Sequence, residues 1–229
     1  MILLVDKPAG MTSFGVVARI RRVVTEKRKL EAIRKGETPP KREKVGHTGT
    51  LDPFATGLLI VMTGKDTKKC QEYLKKDKCY EATIRLGQTS TTGDPEGEIM
   101  EISGKAPTAK EVENAVKVFQ GKITQKLPTY SAVKVDGERA YKLARKGVEV
   151  EMPEREVEIY EIKVIEYNYP ELKIFAHVSS GTYIRTLGED IGEKLGVGGY
   201  LTALRRTKIG IHGIENAEEL DVLMEKLAK

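Results

Sequence analysis

One carboxylate in this chain sits where a reaction would need it. Residues 46–61 run Gly-His-Thr-Gly-Thr-Leu-Asp-Pro-Phe-Ala-Thr-Gly-Leu-Leu-Ile-Val, so Asp52 lies in a loop rich in glycine, threonine and proline, with an apolar run directly behind it. Gly46, Gly49 and Gly57 permit backbone geometry that bulkier residues resist. Pro53 fixes its own φ and pushes Asp52 towards an extended conformation. The pattern predicts an acid on a stiff turn, braced by Leu58–Met62. A carboxylate aimed at a substrate needs that arrangement. Asp-Pro also opens ordinary turns, and an aspartate in a loop commonly caps or is solvated, so that reading stays open on these residues alone.

Other residues carry weaker signals. Gly181-Thr182-Tyr183-Ile184-Arg185 places a cation in the first turn of a helix, where the dipole end is already positive. Arg185 there points to a specific anionic partner, or else is a surface arginine reaching solvent. Tyr80 begins a strand after Lys75–Lys78, a common place for a half-buried aromatic. Leu204-Arg205-Arg206 reads either as a core anchor with two phosphate contacts or as a strand edge. Cys70 and Cys79 form no CxxC pattern, and His47, His177 and His212 are scattered, so no zinc constellation can be assembled. They read as two reduced thiols in a cytosolic protein.

The elements that must hold these residues follow from periodicity. Ile2–Val5 reads as a buried strand, and Asp6–Gly10 as a turn. Thr12 or Ser13 caps a helix carrying Val16, Val17, Ile20 and Val23. Residues Tyr80–Gly87 alternate as a strand, Thr108 caps a helix through Phe119, and Val157–Tyr167 and Leu172–Val178 read as strands. Ile184, Leu187, Ile191 and Leu195 form one helical stripe. Thr25–Lys44 breaks the pattern. It holds eight Lys/Arg against four Glu, with Pro39-Pro40 near its end. It reads as a helical extension followed by a flexible arm, and either contacts RNA or is simply solvated.

With 229 residues, 39% hydrophobic and 32% charged, the chain can bury a sizeable core and carry a heavily charged surface. A net charge of +5 favours a polyanionic partner without requiring one. No signal peptide opens the chain, and no apolar run reaches membrane-spanning length.

The string GHTGTLDPFATGLL closely resembles the catalytic loop of the TruB family of pseudouridine synthases. The opening Asp6-Lys7-Pro8-x-Gly10-x-x-Ser13, Lys78-x-Tyr80, Gly181–Arg185 and Leu204-Arg205-Arg206 are similar to further motifs of that family, in its order. Pro128-x-Tyr130-Ser131-Ala132-x-Lys134-x-x-Gly137, with Tyr141 and Ala144-Arg145-x-Gly147, resembles its RNA-clamping thumb, at about 126–151.

The resemblance implies a mixed α/β (α+β) pseudouridine synthase fold: a central, largely antiparallel sheet, flanking helices and a thumb loop, as one catalytic domain over residues 1–229. It implies isomerisation of uridine at position 55 in the T-loop of tRNA, without cofactor or metal, by a cytoplasmic monomer. Asp52, Tyr80 and Arg185 would carry the chemistry, with Arg185 pairing with Asp52. His47, Tyr183, Leu204, Lys134 and Arg205 would bind substrate. Two features depart from the family: the basic insertion at 25–44, and an end at Lys229 that leaves no room for the RNA-binding PUA domain of bacterial relatives. A guide-RNA-dependent synthase and an RNA-folding protein with secondary catalysis are the alternatives.

Overall fold

The computed structural model of the chain describes residues 1–228 apart from Ala132, Asp136, Lys146 and Glu149, and leaves the side chains of Lys134, Tyr141 and Arg145 undescribed. In chain order the elements are β1 (Ile2–Lys7), α1 (Ser13–Arg34), β2 (Val45–His47), β3 (Thr56–Thr63), a 3-10 segment (Gly64–Lys69), α2 (Cys70–Leu74), β4 (Lys78–Leu86), β5 (Gln88–Ser90) and β6 (Ile99–Glu101). There follow α3 (Ala109–Lys117), β7 (Gly121–Lys126), β8 (Lys134–Val135), β9 (Glu138–Arg139), α4 (Ala140–Arg145), β10 (Glu154–Asn168) and β11 (Glu171–Val178). The last elements are α5 (Ile184–Lys194), β12 (Gly199–Ile209), β13 (His212–Gly213), β14 (Glu218–Glu219) and α6 (Leu220–Ala228). Two compact units result: residues 1–78 with 205–229, and residues 79–204.

The first unit is organised around β3. It pairs antiparallel with β1, from Ile2↔Met62 to Lys7↔Gly57, and with the short β2. It runs parallel to the end of β12, and β14 runs parallel to β1. Leu58, Leu59, Ile60, Val61 and Met62 are all fully buried, because both faces of β3 are covered. Strand alternation divides them. Leu59 and Val61 pack with Val16, Val17, Ile20 and Val24 of α1 and with Leu220 and Leu223 of α6. Leu58, Ile60 and Met62 pack with Ile209. The fourth buried aliphatic of α1 is Val24, four residues after Ile20, and not Val23, which lies further round the helix. The Thr12 side chain caps α1 by accepting from the Gly15 amide at 2.9 Å.

In the second unit the strand order is β12–β4–β11–β10–β7. β10 pairs antiparallel with both β11 and β7. Thr108 and Glu111 form a reciprocal capping box on α3, which ends at Lys117, short of Phe119. Helix α5 lies close against the start of β12: a Cβ on Gly192 would stand 2.3 Å from the Gly198 carbonyl carbon. The mixed α/β class and the largely antiparallel pairing agree with the expectation from sequence. Among the described residues, no helix is long and apolar enough to cross a membrane.

Candidate active site

The Asp52 loop belongs to the first unit, and its backbone is held from several directions. The Ser13 hydroxyl donates to the Leu51 carbonyl at 3.0 Å and accepts from the Leu51 amide at 2.8 Å, so both polar groups of the residue before Asp52 are engaged. The Gly10 amide donates to the Pro53 carbonyl at 2.8 Å. The Lys7 ammonium, fully buried, donates to the carbonyls of Met11 (2.6 Å), Pro8 (2.8 Å) and Pro53 (3.3 Å). The Ala55 amide closes a turn on the Asp52 carbonyl at 3.1 Å. The Arg206 guanidinium, 1% exposed, donates to the carbonyls of Leu58 at 2.8 Å and Gly49 at 3.1 Å. Arg206 is therefore a buried brace of the loop, and is not available as a phosphate contact.

Cations are concentrated around this loop. Burial lowers the Lys7 ammonium from its ordinary range to about 8; the Asp52 charge opposes that fall and the Arg206 charge adds to it. Lys78 is likewise brought to about 8 by burial, then by Arg206, with Asp77 opposing. Asp52, half-buried, thus lies in a field set by buried positive charge. His47, on β2, is held below its ordinary value mainly by burial, which leaves its imidazole neutral at pH 7. Arg205 forms a two-point ion pair with Asp6 at 2.7 and 3.1 Å and keeps a partly exposed side chain.

The remaining candidates belong to the second unit. Arg185, 4% exposed, occupies the first turn of α5 as expected. Its guanidinium donates to the carbonyls of Thr92 and Tyr130, each at 2.8 Å, and pairs with the Asp94 carboxylate at 3.3 Å. Asp94, itself buried, also accepts from the Thr92 hydroxyl at 2.6 Å and the Glu96 amide at 3.0 Å. The anionic partner inferred from an arginine at a helix N-terminus includes this residue. Glu189, one turn along α5, rests against Gly93 of the same loop, where a Cβ would stand 2.8 Å from its Oε1. Burial raises the Glu189 carboxyl to about 7, against the pull of Arg185.

Tyr183 is the N-cap of α5, and its backbone amide and carbonyl are both bonded by the Gln125 side chain, at 3.1 and 3.2 Å. Its ring packs on the cluster of Leu127, Ala140 and Met152, at the root of the thumb segment. Tyr80 is 8% exposed on β4 and Leu204 7% exposed on β12. Lys134 falls in β8, but its side chain lies outside the described residues, as do those of Tyr141 and Arg145 and all of Ala132 in the thumb motif.

Sequence reasoning about single residues missed Lys7, Ser13, Arg206, Gln125 and Asp94 as supports of the site. Nothing in composition distinguishes a lysine that binds three carbonyls from one in a surface turn. Nor does the sequence single out Asp94, because its partner Arg185 is far away along the chain. Among the described residues, no group of three or more His, Cys, Asp or Glu side chains is placed to hold a metal ion.

Comparison with known proteins adds to this geometry. Residues 37–184 match the model of the TruB family pseudouridylate synthase N-terminal domain, and residues 185–229 that of the tRNA pseudouridylate synthase B C-terminal domain. The chain is 44% identical over 230 residues to a protein of Mycobacterium sp. (strain KMS) named tRNA pseudouridine synthase B, covering 98% of this chain and 72% of that one. It is 45% identical over 234 residues to the protein of that name from Thermobifida fusca (strain YX), covering 97% and 73%. Among solved structures it is similar to a Cbf5-Nop10-Gar1 complex, with a TM-score of 0.70 and 29% identity over 98% of this chain and 53% of that one.

Proposed function

The chain belongs to the TruB family of pseudouridine synthases, and we propose that it isomerises uridine to pseudouridine in tRNA, at position 55 of the T-loop. The observation that carries this reading is the bracing of the loop that holds Asp52, through the backbone of Leu51 and Pro53, by Lys7, Gly10 and Ser13, with Arg206 behind. A rearrangement that exchanges a C–N bond for a C–C bond at one sugar carbon is served by a single acid in a fixed position.

In the reaction the N-glycosidic bond breaks, the uracil turns, and C5 joins the ribose; C5 gives up a proton and N1 gains one. Asp52 acts ionised, as nucleophile on the sugar or the base or as the acceptor of a ribose proton. The buried Lys7 ammonium lies close enough to that carboxylate for the two charges to interact. Arg185, fixed by Asp94 and two carbonyls, is the third residue of the proposed chemistry, a planar cation held in a set orientation. Tyr80 stacks on the uracil, and its hydroxyl takes part in removing the C5 proton.

A base inside a folded loop must be turned out of its stack before it can react. Neutral His47 fills the space it leaves. Tyr183 shapes the pocket and Leu204 packs on the base. Lys134 and Arg205 meet phosphates, Arg205 with the donors that Asp6 leaves to it. The higher identity to proteins named tRNA pseudouridine synthase B than to Cbf5 structures favours tRNA over a guide-directed target.

The test is incubation of the purified chain alone with an unmodified tRNA transcript, followed by mapping of pseudouridine. The expected result is one product at position 55, and none when that uridine is replaced by cytidine. Product only on addition of a guide RNA would favour the guide-dependent reading. Tight binding without product would favour an RNA-folding role.

A further inference from the structure

The segment at 25–44 is built in a way that an idle loop is not. Helix α1 continues unbroken to Arg34, and Gly36, at φ 68°, turns the chain back. The returning strand of backbone is pinned at both ends. The Glu37 amide bonds the Ala32 carbonyl at 2.8 Å, the Glu43 amide bonds the Thr25 hydroxyl at 3.1 Å, and the Lys44 carbonyl accepts from Gly64 at 2.8 Å. Arg21 secures the exit by donating to the Val45 carbonyl at 3.1 Å.

The charges on this arm are unevenly used. Glu26 and Glu31 are engaged along the helix by Lys29 and Arg28, at 2.9 and 3.4 Å. Lys27, Arg34, Lys35, Lys41, Arg42 and Lys44 make no ion pair among the described residues, and only Glu37 and Glu43 remain to offset them. Arg42 stands near enough to Arg21 to disfavour its charge, after burial has done so. Holding like charges together costs free energy unless an anion joins them.

The arm is also far from the reacting position. Ser13, which touches Leu51, and Thr25, which touches Glu43, are separated by about twelve residues of α1, or ~18 Å. Along β3 the separation of Gly57 from Gly64 is about seven residues, or ~23 Å. Two independent rulers thus place these cations on the order of 20 Å from Asp52.

We infer that the 25–44 arm is a second RNA-binding site, which grips phosphates of a helical part of the tRNA remote from the loop holding the target uridine. The inference rests on the tRNA reading of the Asp52 site. It predicts an effect on binding, not on the reaction, and only for RNA long enough to reach the arm.

The experiment compares the intact protein with a Lys41→Gln, Arg42→Gln, Lys44→Gln variant on two RNAs: a full tRNA transcript and a short hairpin presenting only the target loop. These side chains are exposed and the pinning bonds are made by backbone, so the thermal midpoint should hold. Each lost phosphate contact should flatten the slope of log affinity against log salt by about 0.9 on duplex. For full tRNA the slope should fall by about two to three, and KM should rise about tenfold at ~0.1 M salt. Turnover at saturation and hairpin affinity should not move, and a Lys41→Arg, Lys44→Arg variant should behave like the parent. Unchanged tRNA affinity and slope would overturn the inference. So would equal losses on tRNA and hairpin, since that would place the contacts near the target. If the intact protein binds both RNAs but modifies neither, the functional reading fails, while the binding comparison still decides the role of the arm.

Discussion

Asp52 can be tested with the smallest change available. Asp52→Asn keeps the shape of the side chain but removes its charge, nucleophilicity and basicity. Turnover should fall below detection while tRNA affinity stays within about threefold, a limit of ~0.7 kcal/mol. Multiple-turnover product from the variant, followed by tritium release from C5-labelled tRNA, would remove Asp52 from its role. Glu189 makes the complementary case for pH. Its carboxyl is raised to about 7 in the fold from an ordinary 4.5. Between those values the unfolded chain has lost the proton and the native one keeps it, so the Glu189 contribution to stability falls as pH rises through that window. Glu189→Gln cannot ionise. The variant should therefore be more stable than the parent above pH 7, by on the order of 1 kcal/mol after allowance for the part of the carboxyl that meets solvent. The gain should vanish below pH 4.5. Urea midpoints at pH 4.5 and pH 8 would show it, and a gain equal at both pH values would exclude titration as its source.

Elements decide whether such residues can be read from sequence at all. The α1 stripe was legible because Val16, Val17 and Ile20 recur at helical spacing; the error between Val23 and Val24 came from choosing i+3 where packing on β3 selects i+4. The Asp52 loop was legible because its glycines, proline and apolar run form one uninterrupted string. Its braces were not, since Lys7, Ser13 and Arg206 reach it from separate elements. Gly57 shows how tight that junction is. At φ 102° it sits where β3 meets β12, and a Cβ there would lie 2.3 Å from the Arg206 carbonyl oxygen. Gly57→Ala should cost on the order of 4 kcal/mol through strain and overlap together. Gly36→Ala meets open space at a similar sign of φ and should cost only about 1 to 2 kcal/mol. Denaturation midpoints of the two variants check this, and equal losses would mean that backbone strain alone is at work.

The whole chain closes the first unit with its own two ends. Met1 is bonded to Asp66 at 3.0 Å, β14 lies beside β1, and Leu220 and Leu223 complete the core on which α1 rests. This was not legible in the sequence, because the boundaries at 78/79 and 204/205 coincide with strands and not with a glycine- or proline-rich linker. The family models divide the chain elsewhere, between residues 184 and 185. A cut there would respect neither unit. It would strip Arg206 from the Asp52 loop and uncover Val16, Val17, Ile20, Leu59 and Val61; it would also take α5 and the first half of β12 from the second unit. Removing α6 alone exposes two leucine side chains' worth of core contact, and each leucine is worth about 2 to 5 kcal/mol by truncation to alanine. That is comparable to the whole stability of a domain, about 5 to 15 kcal/mol. A fragment of residues 1–184 should therefore show no cooperative thermal transition and form no pseudouridine, although it retains Asp52 and Tyr80. A cooperative transition in calorimetry from that fragment would show that the two ends of the chain are not needed to close the unit carrying Asp52.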